Sequence, residues 1–243
     1  MELRGTVAVV TGGGRRLGKA ITLALAGSGC DVAISYRSSK DDAQRTADAA
    51  RAAGVRALTV QADVSQAAAV AHLLHTTVDA FGRVDILIAN AGAFRRTPID
   101  ALSEADFDNM IDNNLRATFL CAHRFGLHMR EGDGGVIVAL ADVAGLRPWA
   151  DYLPYSIAKA GIIALTYGLA KALAPSVRVN AIAPGPVLFP DDYDAVAQQQ
   201  EIARTLLQRP GTPQHIADAV LALVTNDYIT GVVLPVDGGR LLC

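Results

Sequence analysis

The chain carries no surplus of either charge: 22 lysines and arginines stand against 24 aspartates and glutamates, a formal net charge of −2. Without a basic excess there is no electrostatic footprint for nucleic acid or for an anionic membrane, and the expected partners are small molecules. Cysteine is scarce. Cys30, Cys121 and Cys243 form an odd set with no C-x-x-C spacing, which argues against a disulfide framework and a zinc site and predicts reduced thiols. His72 and His75 lie one helical turn apart, but no further ligand joins them in local spacing, so no metal is expected. No uninterrupted run of about 18 apolar residues suggests a membrane span, and the first residues lack the apolar core of a signal peptide. The expectation is a cytoplasmic chain.

What is present is apolar residue in quantity, 51% of 243 positions, distributed as short β-branched runs that alternate with Ala-rich segments of helical period. That alternation is the pattern of βαβ units around a parallel sheet. It predicts an α/β fold: a single Rossmann-type domain over residues 1–243, built on a doubly wound parallel sheet of seven strands. The strands are expected at Val7–Thr11, Asp31–Tyr36, Arg56–Gln61, Ile86–Asn90, Val136–Leu140, Arg178–Ala183 and Val232–Val236. Gly27, Gly29, Gly54 and Gly82 follow helical segments where a left-handed cap is wanted, and Ser65 stands where an N-cap belongs. The stretch 186–206, with its prolines, aspartates and glutamine run, reads as irregular and is expected to form a mobile lid.

The first strand runs into Thr11-Gly12-Gly13-Gly14-Arg15-Arg16-Leu17-Gly18, and a helix pattern follows at once. Glycine permits close backbone approach, so Gly12, Arg15, Arg16, Leu17 and Gly18 can set a pyrophosphate on the N–H groups at a helix N-terminus. The second strand ends in Tyr36-Arg37-Ser38 with no carboxylate. A guanidinium and a hydroxyl there suit a 2′-phosphate, and with Arg15 as a second cation they predict NADPH rather than NADH. Asp63 and Val64 follow the third strand, where Asp63 can accept from the adenine amine. Asn90-Ala91-Gly92 ends the fourth strand with small residues that let the cofactor lie against the sheet.

Tyr155 and Lys159, four residues apart, share one face of a helix. A nearby cation is expected to lower the phenol's pKa and fit Tyr155 to donate a proton to an atom being reduced by hydride. Trp149, between Asp142 and Tyr155, stands where it could reach a substrate from the rim or make a subunit contact.

With these motifs in this order, together with Asn114, Pro184-Gly185 and the late Val236-Asp237-Gly238-Gly239, the chain resembles the short-chain dehydrogenase/reductase family along essentially its full length. The resemblance implies that Asn114 holds a water relay to Lys159, that Pro184, Gly185 and Val187 border the nicotinamide beside Tyr155 and Lys159, and that the chain forms a homotetramer. Two departures point within the family. Arg16 replaces the turn's second glycine, and Asp142, thirteen residues before Tyr155, replaces the catalytic serine. Both features resemble the pteridine reductases, as does Phe94, whose position is that of a ring stacking a pterin against the nicotinamide. In that reading Arg16, Phe94, Asp142 and Tyr155 contact substrate, and the activity is NADPH-dependent reduction of a pterin or dihydrofolate-like ring. Gly92 departs from that branch, which commonly has serine there, and so does Tyr36-Arg37-Ser38, which lacks the branch's histidine. The remainder of the chain is equally similar to 3-oxoacyl carrier-protein reductases, so a ketone or 3-oxoacyl reductase is the alternative. A catalytically silent NADPH sensor is the alternative from another class.

Overall fold

β-Branched and aliphatic runs too apolar for a solvated strand need cover on both faces, and the parallel sheet supplies it. In the computed structural model, which describes residues 1–190 and 193–243, seven strands form one sheet: β1 Val7–Thr11, β2 Asp31–Tyr36, β3 Ala57–Gln61, β4 Ile86–Ala89, β5 Gly135–Leu140, β6 Val177–Pro184 and β7 Val233–Val236. All pairings are parallel, in the order β3-β2-β1-β4-β5-β6-β7. The Rossmann-type α/β fold is the one expected, with strand ends shifted by at most one residue.

Alternate residues along each strand serve opposite faces. Val10, Ile88 and Val138 pack with Ile21, Leu25 and Val220 from helices α1 (Arg16–Gly27) and α8 (Pro213–Thr225). Val9, Leu87 and Ile137 pack with Leu73 and Phe125 from α3 (Ala67–Phe81) and α5 (Ala117–Glu131). The chain order reverses between β1 and β4, and the carboxyl ends of these strands open a crevice of the kind where α/β sheets take ligands.

Helix α6, Leu153–Leu173, is long and apolar enough to cross a membrane by length and composition. Here its apolarity has another cause: Ile162 and Ile163 pack on the alanines of β4, β5 and β6. The remaining helices are α2 (Lys40–Ala52), α4 (Glu104–Met110) and α7 (Ala195–Ala203), and a π-helical turn, Ile111–Arg116, joins α4 to α5.

Three local expectations are corrected. Gln66, not Ser65, is the N-cap of α3; the Ser65 hydroxyl instead donates to Asp63 Oδ1 at 2.7 Å. Gly29, Gly54 and Gly82 take the left-handed conformation, whereas Gly27 ends α1 inside the helix. Within 186–206, the irregular reading fails for Ala195–Ala203, because Asp194 accepts from Ala197 N at 2.8 Å and starts α7. Asp191 and Asp192 of that stretch lie outside the described residues.

Candidate active site

Thr11 closes β1 and ties the Gly-rich turn to the end of β4. Its hydroxyl accepts from the N–H groups of Asn90 and Ala91, each at 2.9 Å, while Asn90 Nδ2 donates to the Thr11 carbonyl at 2.8 Å. The turn is so tight that a Cβ on Gly18 would lie 2.2 Å from the Gly12 carbonyl oxygen, which leaves glycine as the one residue that fits. Arg16 opens α1 at φ +50°, a left-handed geometry that costs an L-residue about 1–2 kcal/mol and that explains why glycine is expected there. Its guanidinium donates to the carbonyls of Leu188 and Phe189 at 3.3 and 3.4 Å. The side chain therefore bridges the turn to the segment after β6.

The cleft above the turn gathers Gly12, Arg15, Arg16, Leu17, Gly18, Tyr36, Arg37, Ser38, Asp63, Val64, Asn90, Ala91 and Gly92. The fold thus brings thirteen of the expected cofactor residues to one cleft. The cleft also holds Ser35 and Ser39, whose hydroxyls flank the same Tyr36-Arg37-Ser38 stretch, and Ser65 and Asn113, which the sequence did not mark as cofactor residues. A dinucleotide fits this cradle: a glycine floor that a Cβ would fill, a helix N-terminus, and cations at the β2 end. Asp63 Oδ1 is engaged by the N–H and hydroxyl of Ser65, so its expected contact with adenine has at most the other oxygen to use.

The second half of the site is built by β5 and α6. Just after β5, Asp142 Oδ1 accepts from Ala144 N at 2.8 Å, capping a short 3₁₀ turn, and Oδ2 accepts from the Tyr155 hydroxyl at 2.8 Å. Lys159 Nζ donates to the Leu140 carbonyl at 2.7 Å and lies 5.5 Å from the centre of the Tyr155 ring. Burial shifts all three. It raises the Asp142 carboxyl above its ordinary value, against the Ala144 N–H, the Lys159 charge and the Tyr155 hydrogen bond. Asp142 keeps some surface open to solvent. Burial pulls Lys159 down to about 8, an effect the Asp142 charge partly offsets. Tyr155 is pushed well above 10, first by burial and then by the charge and hydrogen bond of Asp142. This reverses the expectation of a lysine-lowered phenol: the nearest partner of the hydroxyl is a carboxyl, not the ammonium.

Asn114 is buried in the π-helical turn, where its Nδ2 donates to the carbonyls of Ala93 and Met110 at 3.0 and 2.9 Å. A Cβ on Gly92 would lie 2.7 Å from Asn114 Oδ1, which accounts for glycine where a serine was a possibility. Phe94, 41% exposed, stacks on Tyr152 with centroids 4.6 Å apart, and presents its ring edge-on to Tyr155 at 4.9 Å. Trp149 closes on both Phe94 and Tyr152, and the Tyr152 and Tyr193 hydroxyls are 3.1 Å apart. The site thus has an aromatic wall of which sequence reading found only part. Tyr152 precedes Tyr155 by one helical turn, a signal that was available; Tyr193 approaches only through the tertiary fold. Val187 is packed into the core, Pro184 closes β6, and a Cβ on Gly185 just after it would lie 2.6 Å from Asp237 Cα.

Residues 13–240 match a family model described as enoyl-(acyl carrier protein) reductase. The (2S)-((R)-hydroxy(phenyl)methyl)succinyl-CoA dehydrogenase subunit of Thauera aromatica is 39% identical, with 100% of this chain and 99% of that protein covered. A 3-oxoacyl-acyl-carrier-protein reductase of Synechocystis is 37% identical over 99% of this chain and 98% of its own length. The chain belongs to the short-chain dehydrogenase/reductase family. A family member from Burkholderia cenocepacia, solved in complex with NADP, superposes with a TM-score of 0.92 at 36% identity, with 99% of each chain covered. Membership makes the chain an oxidoreductase.

Proposed function

We propose that the protein is an NADPH-dependent reductase acting on the ketone of a 3-oxoacyl thioester. The observation that carries this reading is the Tyr155 hydroxyl, its pKa raised by burial and by Asp142, held 2.8 Å from the Asp142 carboxyl beside a cleft lined by Arg15 and Arg37. The relatives' names supply the substrate class: one is a 3-oxoacyl-acyl-carrier-protein reductase, another a dehydrogenase of an acyl-CoA.

When bound, the reduced nicotinamide supplies hydride to the carbonyl carbon. The protein's part is to place the ketone oxygen at Tyr155 and to deliver a proton there. An ionised Asp142 would hold the Tyr155 proton and repel a developing alkoxide, but a neutral carboxyl donates. With Asp142 protonated, its O–H bonds to the Tyr155 oxygen, freeing the phenolic proton for the substrate and steadying the phenolate left behind. Burial of Asp142 favours that form. Lys159 adds positive charge beneath the Tyr155 ring, and the Asn114 relay to Lys159 completes the proton path in this reading.

A second reading, reduction of a pterin-like ring, is favoured by Phe94 and Asp142. The open part of Phe94 could stack a flat heterocycle, and a carboxylate at 142 would accept from ring N–H donors. Parallel NADPH oxidation assays with acetoacetyl-CoA and with dihydrobiopterin or dihydrofolate separate the two. Brisk turnover of the thioester is expected. Turnover of the pterins with none of the thioester would overturn the first reading in favour of the second.

A further inference from the structure

Asn113 is a polar side chain of the cofactor cleft that belongs neither to the family motifs nor to the catalytic set. Asn113, in the π-helical turn, accepts from Arg37 Nη1 through Oδ1 at 2.6 Å and donates through Nδ2 to the Asn109 carbonyl at 2.9 Å. Both Asn113 and Arg37 line the cleft. The Asn109 carbonyl can only accept, so it fixes which end of the amide is Nδ2 and turns Oδ1 toward the guanidinium. The backbone of Arg37 is held as well, because Gln61 Nε2 donates to its carbonyl at 3.0 Å.

We propose that Asn113 is a positioning residue for recognition of the cofactor's 2′-phosphate, acting by presenting the Arg37 guanidinium at the end of β2. The inference rests on the NADPH reading above. An arginine is long and flexible, and ordering it on binding weakens the contact it makes; a partner that orders it beforehand removes part of that cost. The chemistry of the partner matters. A carboxylate at 113 would neutralise the guanidinium and compete with the phosphate, whereas a neutral amide oxygen occupies a single N–H and leaves the charge and the other donors for the ligand. The π-helical turn lets two consecutive residues divide the labour: Asn114 braces Ala93 near the catalytic end, and Asn113 braces Arg37 at the phosphate end.

Titration calorimetry of NADP⁺ and NAD⁺ on the wild type, Asn113→Leu, Arg37→Ala and the double variant tests this. Asn113→Leu keeps similar bulk and loses the acceptor. It should weaken NADP⁺ roughly 3- to 10-fold, the range of one hydrogen bond, and leave NAD⁺ within about twofold. In the Arg37→Ala background it should add nothing, because the residue acts only through that guanidinium. Equal weakening of both dinucleotides, no weakening of NADP⁺, or a full additional loss in the Arg37→Ala background would each overturn the positioning role. If Arg37→Ala leaves the NADP⁺ to NAD⁺ ratio unchanged, the NADPH reading itself falls and takes this inference with it. If Arg37→Ala collapses the ratio while Asn113→Leu does not, only the positioning role falls. Should Asn113→Leu fail to fold, Asn113→Ala supplies the same comparison.

Discussion

At Tyr155 the question is where one proton points. The hydroxyl lies 2.8 Å from Asp142 Oδ2, and the charge state of that carboxyl decides whether Tyr155 is held as a donor to Asp142 or released toward a substrate. Burial raises the carboxyl's pKa, so the neutral, productive form is favoured at lower pH and is lost as pH rises through that raised value. Lys159 loses its charge above about 8, which removes a second support for the phenolate. The kcat/KM for ketone reduction should therefore fall with rising pH in two steps. Asp142→Asn, neutral at every pH and able to donate through its amide, should abolish the lower step and retain more activity than Asp142→Ala. A pH profile of Asp142→Asn identical to that of the wild type would contradict this role. Stability follows the same signs. Asp142, with a raised folded pKa, stabilises the fold most below its unfolded value and less as pH rises through the folded one. Lys159, with a depressed folded pKa, contributes fully above 10.5 and loses that contribution as pH falls through about 8.

Among the elements, the catalytic geometry depends on how the 3₁₀ turn Val143–Gly145 meets helix α6. A Cβ on Gly145 would lie 2.7 Å from the Lys159 carbonyl carbon and 2.8 Å from Ala160 N, both backbone atoms that cannot rotate away. Gly145→Ala should push the turn, and Asp142 with it, off α6. A displacement of this kind can cost about 100-fold in turnover, and here it should leave NADP⁺ affinity nearly intact, since the Gly-rich turn is on other elements. Activity within about threefold of wild type would show that the turn tolerates the shift, against that expectation. The elements themselves were largely legible. Runs such as Val7–Thr11 and Val136–Leu140 are apolar because both faces are covered, and that pattern is local. Helix α7 was missed because two prolines and a glutamine run masked an Asp194 cap that could have been read. The π-helical turn had no comparable signal, because it differs from an α-helix by hydrogen-bond spacing alone.

The whole molecule places its chemistry at the reversal of strand order between β1 and β4, where the Gly-rich turn, Arg37 and Asn90 meet. Residues named by motif came together there because the family's spacing encodes the topology. Residues that depend on side-chain approach across elements, Asn113 to Arg37 and Tyr193 to Tyr152, did not stand out, since nothing in their neighbours along the chain marks them. The Phe94 position was legible, and Tyr152 could have been read from its place one turn before Tyr155, but the stacking of the two rings could not. Because a ligand stabilises the fold in proportion to its affinity, NADPH at saturating concentration should raise Tm by several degrees and NADH at the same concentration by less; a 100-fold excess over Kd corresponds to about 2.7 kcal/mol. Equal shifts from the two cofactors would contradict the assignment of Arg15, Arg37 and Ser38 to a 2′-phosphate.

The central claim, that this family member reduces a carbonyl with Tyr155 as the proton donor, is tested most directly by single-turnover oxidation of bound NADPH on acetoacetyl-CoA in wild type and Tyr155→Phe. Phenylalanine preserves the ring that packs against Phe94 and removes only the hydroxyl. The predicted result is a loss of ~10²–10⁴-fold in the rate of NADPH oxidation with NADPH still bound. A Tyr155→Phe protein that keeps more than about a tenth of the wild-type rate would show that the proton comes from elsewhere.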